Sequence, residues 1–146
     1  MKSSSKFFFI DIFGFKILIT DNITSFNNLQ MGEQVEKFNA YRSKMNEKIL
    51  ASDNKVMKRI YSLDTLTYQE GVLSTKTKEM IGLATSMVLR CDDCVKYHLE
   101  KCMEQGVTTD EIFELFGVAN LVGGTIVIPH TRRAVEYWEE LNNQIN

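Results

Sequence analysis

Three observations predict an all-α fold for this chain of 146 residues. Apolar side chains recur at helical spacing from Glu33 onward, helix-starting and helix-stopping residues sit at the ends of those stretches, and the sole proline is Pro129. A hydrophobic content of 44% suffices for one domain with one core. The net charge of -2 and the pI near 5.7 carry no basic field that would favour nucleic acid or an anionic membrane. The three cysteines, Cys91, Cys94 and Cys102, cluster in one segment, unlike a secreted disulfide framework, so a reducing, cytoplasmic setting is expected.

Composition changes near residue 30. Six of the nine phenylalanines precede Met31, and residues 7–12 and 15–20 read as two short strands around Phe13 and Gly14, a hairpin or else an appendage. Lys2 and Lys6 before Phe7, Phe8, Phe9 and Ile10 resemble a signal peptide, but Asp11 and Lys16 interrupt the apolar run, so neither export nor a membrane anchor is expected. Met31-Gly32-Glu33 looks like the start of the helical domain, which would span residues 31–146. Residues 1–30 are then an extension, either genuine or an upstream run of the reading frame.

The first helix is expected from Glu33 to about Ser52, with Val35, Phe38, Met45, Ile49 and Leu50 at apolar positions. A second follows Asp53 as N-cap and carries Val56, Met57, Ile60 and Leu63. Ser74 caps a third, in which Met80, Ile81, Ala84, Met87 and Val88 make one apolar face and Glu79 rides beside it. Asp92 or Asp93 caps a fourth through Val95, Leu99 and Met103, and Gly106 fits the left-handed position past its end. Thr108-Thr109-Asp110-Glu111 forms a capping box for a fifth, whose Ile112, Phe113, Leu115, Phe116, Val118, Ala119, Leu121 and Val122 leave almost no polar face. That helix belongs in the core or at a subunit interface. After Gly123-Gly124 the chain runs helically to about Asn142, and Pro129 either kinks one long helix or opens the last one.

Chemistry concentrates in residues 79–98. Glu79 is followed, after eleven intervening residues, by Cys91-Asp92-Asp93-Cys94 and then His98: a dithiol, a carboxylate and one of two histidines. Cysteines three apart reach disulfide geometry, with β-carbons about 3.8 Å apart, only where the first is not yet helical, so the pair is placed at a helix start. Unpaired amides and the helix dipole there stabilise a thiolate, and the two aspartates oppose it. His98 lies one turn beyond Cys94, and Glu79 reaches it if the third and fourth helices pack antiparallel across a tight connection, giving a carboxylate–imidazole–thiol relay. Each thiol and the carboxylate also have a plainer reading: Cys91 and Cys94 as unrelated core cysteines, Glu79 on a solvated helix face, and Cys102 as a small core side chain, which for Cys102 is the preferred one. Structural zinc on Cys91, Cys94, His98 and Cys102 conflicts with the roughly 16 Å rise between the outer cysteines of one helix, though a three-ligand or shared site stays open. No cofactor is expected.

Glu79, Cys91, Cys94 and His98 at this spacing, the text Arg90-Cys91-Asp92-Asp93-Cys94-Val95-Lys96-Tyr97-His98, Gly106 with its acidic capping box, Gly123-Gly124, and Ile128-Pro129-His130 before Arg132, Arg133 and Ala134 resemble the alkylhydroperoxidase D group of the carboxymuconolactone decarboxylase superfamily. The resemblance covers about residues 33–142. It implies a bundle of about six helices, assembled as trimers or hexamers, that reduces hydroperoxides at the expense of a dithiol donor. In that scheme Cys94 attacks the peroxide, Cys91 resolves the sulfenic acid to a disulfide, and Glu79 and His98 carry protons. Asp93 stands where well-studied members place a second histidine, which implies a weaker peroxidase or another thiol substrate. Two other functions compete: a noncatalytic redox sensor or assembly module, and lactone decarboxylation, which would survive loss of both thiols.

Overall fold

The computed structural model describes residues 8–12, 15–19 and 32–145. Strands β1 (Phe8–Ile12) and β2 (Phe15–Ile19) pair antiparallel, with Phe8 opposite Ile19 and Ile12 opposite Phe15. They match the expected hairpin, whose turn at Phe13 and Gly14 lies outside the described residues, as do the remainder of residues 1–30 and Met31. Six α-helices follow among the described residues: α1 (Glu33–Ala51), α2 (Lys55–Thr67), α3 (Thr75–Leu89), α4 (Asp92–Glu104), α5 (Thr109–Gly123) and α6 (Ile128–Ile145), with a 3-10 turn at Thr125–Val127 before α6. The fold is an all-α bundle.

Local side-chain chemistry sets most of these ends. Ser74 accepts the Thr77 N–H, Thr108 and Glu111 close a reciprocal capping box, and Gly106 adopts φ +68° past α4. Pro129 falls in the first turn of α6, where its missing N–H costs no intrahelical bond. Two expected caps shift by a residue. Asn54, not Asp53, caps α2, accepting from Val56 and Met57. Cys91, not Asp92 or Asp93, caps α4, and both aspartates fall in its first turn, where their charge suits the dipole.

The core gathers α3, α4, α5 and α6 with the first half of α1. Trp138, Tyr137, Leu83, Met87, Leu99, Ile112, Val127 and Cys102 are its largest fully buried side chains. Glu140 is buried on α6 and accepts the Val35 N–H at 2.8 Å, which satisfies a donor that Gly32, lacking a side chain, leaves open at the start of α1. Glu100 accepts from Asn39 at 2.8 Å and from Tyr137 at 2.6 Å, tying α1 and α6 to α4.

The apolar patterns overstate burial on four helices. Only Val35 and Phe38 are buried on α1, and no residue of α2 is buried, although Val56, Ile60 and Leu63 form a stripe along it. On α3 the inward face is Glu79, Gly82, Leu83, Ser86 and Met87, and Ile81 is exposed. On α5 Ile112, Leu115, Phe116 and Ala119 face inward, whereas Phe113, Val118, Leu121 and Val122 face outward.

Candidate active site

The turn between α3 and α4 places the dithiol. Arg90 takes the left-handed conformation (φ 60°), its N–H bonds the Met87 carbonyl, and the Cys91 N–H bonds that of Ser86 at 3.1 Å, the pattern of a Schellman ending. A non-glycine residue in this conformation costs about 1 kcal/mol or more. The outcome is the shortest route out of one helix and into the next: Cys91 ends the first motif and caps the second. Because Cys91 is extended (φ -95°, ψ 90°) and Cys94 is helical, their α-carbons lie 5.2 Å apart and the sulfurs form a disulfide. The Cys94 N–H points at Cys91 Sγ, 3.4 Å away.

Folding α4 back along α3 brings Glu79 onto His98. Glu79 Oε2 lies 2.7 Å from His98 Nδ1, and both side chains are less than a tenth exposed. A carboxylate at Nδ1 fixes the proton on that nitrogen in the neutral ring, so Nε2 is left as the basic position. Tyr68, just past α2, supplies the next group: its hydroxyl lies 3.5 Å from Nε2, at the outer limit of a hydrogen bond. Burial and then the Glu79 and Asp64 carboxylates push the Tyr68 phenol upward, so it stays protonated and able to donate. The Tyr68 and Tyr97 rings both pack against the imidazole, with centroids 5.2 Å away. Glu79 also lines a cleft of ≈ 430 Å³ shared with Asp64, Tyr68, Tyr97 and Lys101.

Gly82 completes the pocket for the ring. A β-carbon there would stand 2.6 Å from His98 Cε1 and 2.7 Å from the Tyr68 hydroxyl. Neither distance is tolerable. Glycine inside a helix costs about 1 kcal/mol relative to alanine, and that unexplained cost in an apolar segment is the signal through which the sequence could have marked the position. Gly82→Ala is therefore expected to displace the imidazole rather than stabilise α3, lowering stability by about 1–3 kcal/mol through overpacking. Thermal unfolding together with the NMR signals of the His98 ring tests this; a stabilised protein with an unmoved ring would refute the fit.

The structure thus joins the four expected residues as two pairs, Cys91 with Cys94 and Glu79 with His98, linked by the helical turn from Cys94 to His98. Tyr68 and Gly82 are the additions. Cys102 stands apart: it is fully buried, free, and pushed up to about 12 by its burial, so its thiol is inert at neutral pH. Among the described residues no group of three or more His, Cys, Asp or Glu side chains is arranged to hold a metal ion.

An all-α bundle with a dithiol at the start of one helix and a buried carboxylate–imidazole pair one turn along defines the class. Residues 54–137 match the model of the carboxymuconolactone decarboxylase family, and the chain belongs to that family. It is 48% identical to a carboxymuconolactone decarboxylase family protein of Thermotoga maritima, whose crystal structure is described with a suggested involvement in antioxidative response; the match covers 73% of this chain and 91% of that one, with a TM-score of 0.71. The apo form of a family member from Legionella pneumophila, 24% identical with a TM-score of 0.52 over 80% of this chain and 96% of that one, supports the fold alone. An uncharacterized protein of Cupriavidus necator is 28% identical over 74 residues, 51% of this chain and 66% of that protein.

Proposed function

We propose that the protein is a dithiol-dependent reductase of hydroperoxides, with Glu79, Cys91, Cys94 and His98 as its catalytic residues. The observation that carries this reading is the coexistence of a Cys91–Cys94 disulfide at a helix start with the buried Glu79–His98 pair on the same two helices. The antioxidative role suggested for the Thermotoga relative points the same way. In the reduced protein the Cys94 thiolate attacks the outer peroxide oxygen; the O–O bond breaks, a proton from the relay goes to the departing alkoxide, and Cys94 becomes a sulfenic acid. Cys91, whose sulfur accepts the Cys94 N–H in the disulfide state, attacks that sulfenic sulfur, expelling water and forming the disulfide. A dithiol donor, a protein or a small thiol, restores both thiols by exchange. His98 moves protons at Nε2, and Glu79 holds Nδ1 and stabilises the imidazolium. Such recycling suits the cytoplasm, and no helix among the described residues is long and apolar enough to cross a membrane.

Turnover of hydrogen peroxide or an organic hydroperoxide with a dithiol donor tests the reading. Peptide mapping after oxidation should find Cys91 bonded to Cys94 and Cys102 reduced. Cys102 in the main disulfide would sink the assignment.

Homotrimers or homohexamers are the expected assembly. The exposed apolar side chains of α2 and of the outer face of α5, with Ile81 and Leu89 on α3, offer apolar surface that such an assembly would bury. Sedimentation at micromolar concentration should show a multiple of three, and a stable monomer would contradict it. The helical domain is assigned to residues 31–146, since all elements of the site lie within it. Residues 31–146 expressed alone should unfold at the temperature of the whole chain; a large drop would place the segment before Met31 within the cooperative fold.

A further inference from the structure

Asp92 is the residue between the helix cap and the rest of the dithiol turn, and α6 holds its carboxylate from two sides. Arg133 donates from Nε to Oδ2 at 3.0 Å and from Nη2 to Oδ1 at 3.2 Å, and His130 Nδ1 lies 2.6 Å from Oδ1. Arg133 Nη2 also stands 2.9 Å from His130 Nδ1, so that nitrogen either donates to Asp92 or accepts from Arg133. The other charged side chains along this stretch, Arg90 before the cap and Asp93 after Asp92, are exposed. Burial works to raise the Asp92 carboxyl, but the hydrogen bonds from His130 and Arg133 win and hold it below its ordinary value.

An uncompensated, partly buried carboxylate one residue from Cys91 and two from Cys94 would oppose a thiolate on either sulfur more than the solvent-screened Asp93 does, and would weaken the benefit of the helix start. A bidentate guanidinium removes that opposition without touching the sulfurs. We propose that Arg133, assisted by His130, is a positioning residue for the dithiol: it neutralises Asp92 and so keeps the start of α4 electropositive enough to favour the thiolate. The proposal rests on the dithiol being the reactive centre, but not on peroxide being its substrate. It assigns α6 a part in the chemistry of a turn built by α3 and α4.

The test is the pH dependence of iodoacetamide labelling of Cys91 and Cys94 in the reduced full-length protein, followed residue by residue by mass spectrometry. Arg133→Gln should move the labelling midpoint upward by about one pH unit and slow the reaction near neutral pH by roughly tenfold, with most of the loss recovered in Arg133→Lys. The double variant Asp92→Asn, Arg133→Gln decides between charge and scaffolding, because removing the carboxylate as well leaves nothing to neutralise. Its labelling should return to the wild-type midpoint or below. An unmoved midpoint in Arg133→Gln, or a double variant as slow as the single, would overturn the proposal and reduce the cluster to a tether between α4 and α6. Failure of the wild-type protein to consume peroxide would remove the peroxidase reading and leave this result unaffected.

Discussion

Replacing Cys94 with serine is expected to abolish peroxide turnover. A serine hydroxyl is a very weak nucleophile toward peroxide oxygen and cannot enter thiol–disulfide exchange, so both halves of the cycle stop. Cys91→Ser should behave differently: Cys94 reacts once and halts as a sulfenic acid, or as a mixed disulfide when a small thiol is present. Mass spectrometry of the two variants after one equivalent of peroxide separates the roles. The capping position of Cys91 gives this comparison its force, because the Cys94 N–H bond to Cys91 Sγ would also favour a thiolate on Cys91. If Cys94→Ser still consumes one equivalent and Cys91→Ser consumes none, the attacking and resolving roles are reversed.

Losing either member of the Glu79–His98 pair is expected to slow turnover by about 10² or more, the usual scale for one general acid or base. Glu79→Gln keeps the shape of the side chain but offers a neutral partner to Nδ1, which no longer favours an imidazolium. His98→Ala removes the base and leaves the buried Glu79 carboxylate without its partner, so some destabilisation should accompany the kinetic loss. The double variant should be barely slower than the worse single one, since groups that act as a unit lose their effect together. Multiplicative losses would show two independent roles. Full activity in both single variants would leave the helix start alone to activate the thiol.

How far these features could be read in advance depended on how local their causes are. The caps at Ser74 and Thr108, the capping-box Glu111 and the left-handed Gly106 depend on bonds within a few residues, and each falls where the sequence places it. The cap of α4 shifts to Cys91 because the left-handed Arg90 ends α3 so abruptly that only Arg90 and Cys91 separate the two helices; a strained non-glycine turn is hard to foresee. The exposure of Ile81 has a different source. Periodicity finds an apolar stripe but not the rotation of the helix, and here the inward face is claimed by Glu79 and Gly82, which periodicity counts as polar or neutral. The stripe on α2 is likewise real in sequence, and no residue of it is buried among the described residues. Of the site, the dithiol spacing and the one-turn offset to His98 were legible, whereas Tyr68 was not, since it reaches Nε2 from thirty residues away and only the packing of α2's end on α4 brings it there.

The most direct measurement is steady-state consumption of an organic hydroperoxide by the full chain with a recycling dithiol donor, run in parallel on protein whose Cys91 and Cys94 have been reduced and alkylated. The account predicts many turnovers per protein molecule, accumulation of the Cys91–Cys94 disulfide when donor is withheld, and no activity after alkylation. A rate no faster than the donor alone, or consumption that survives alkylation of both thiols, would contradict it.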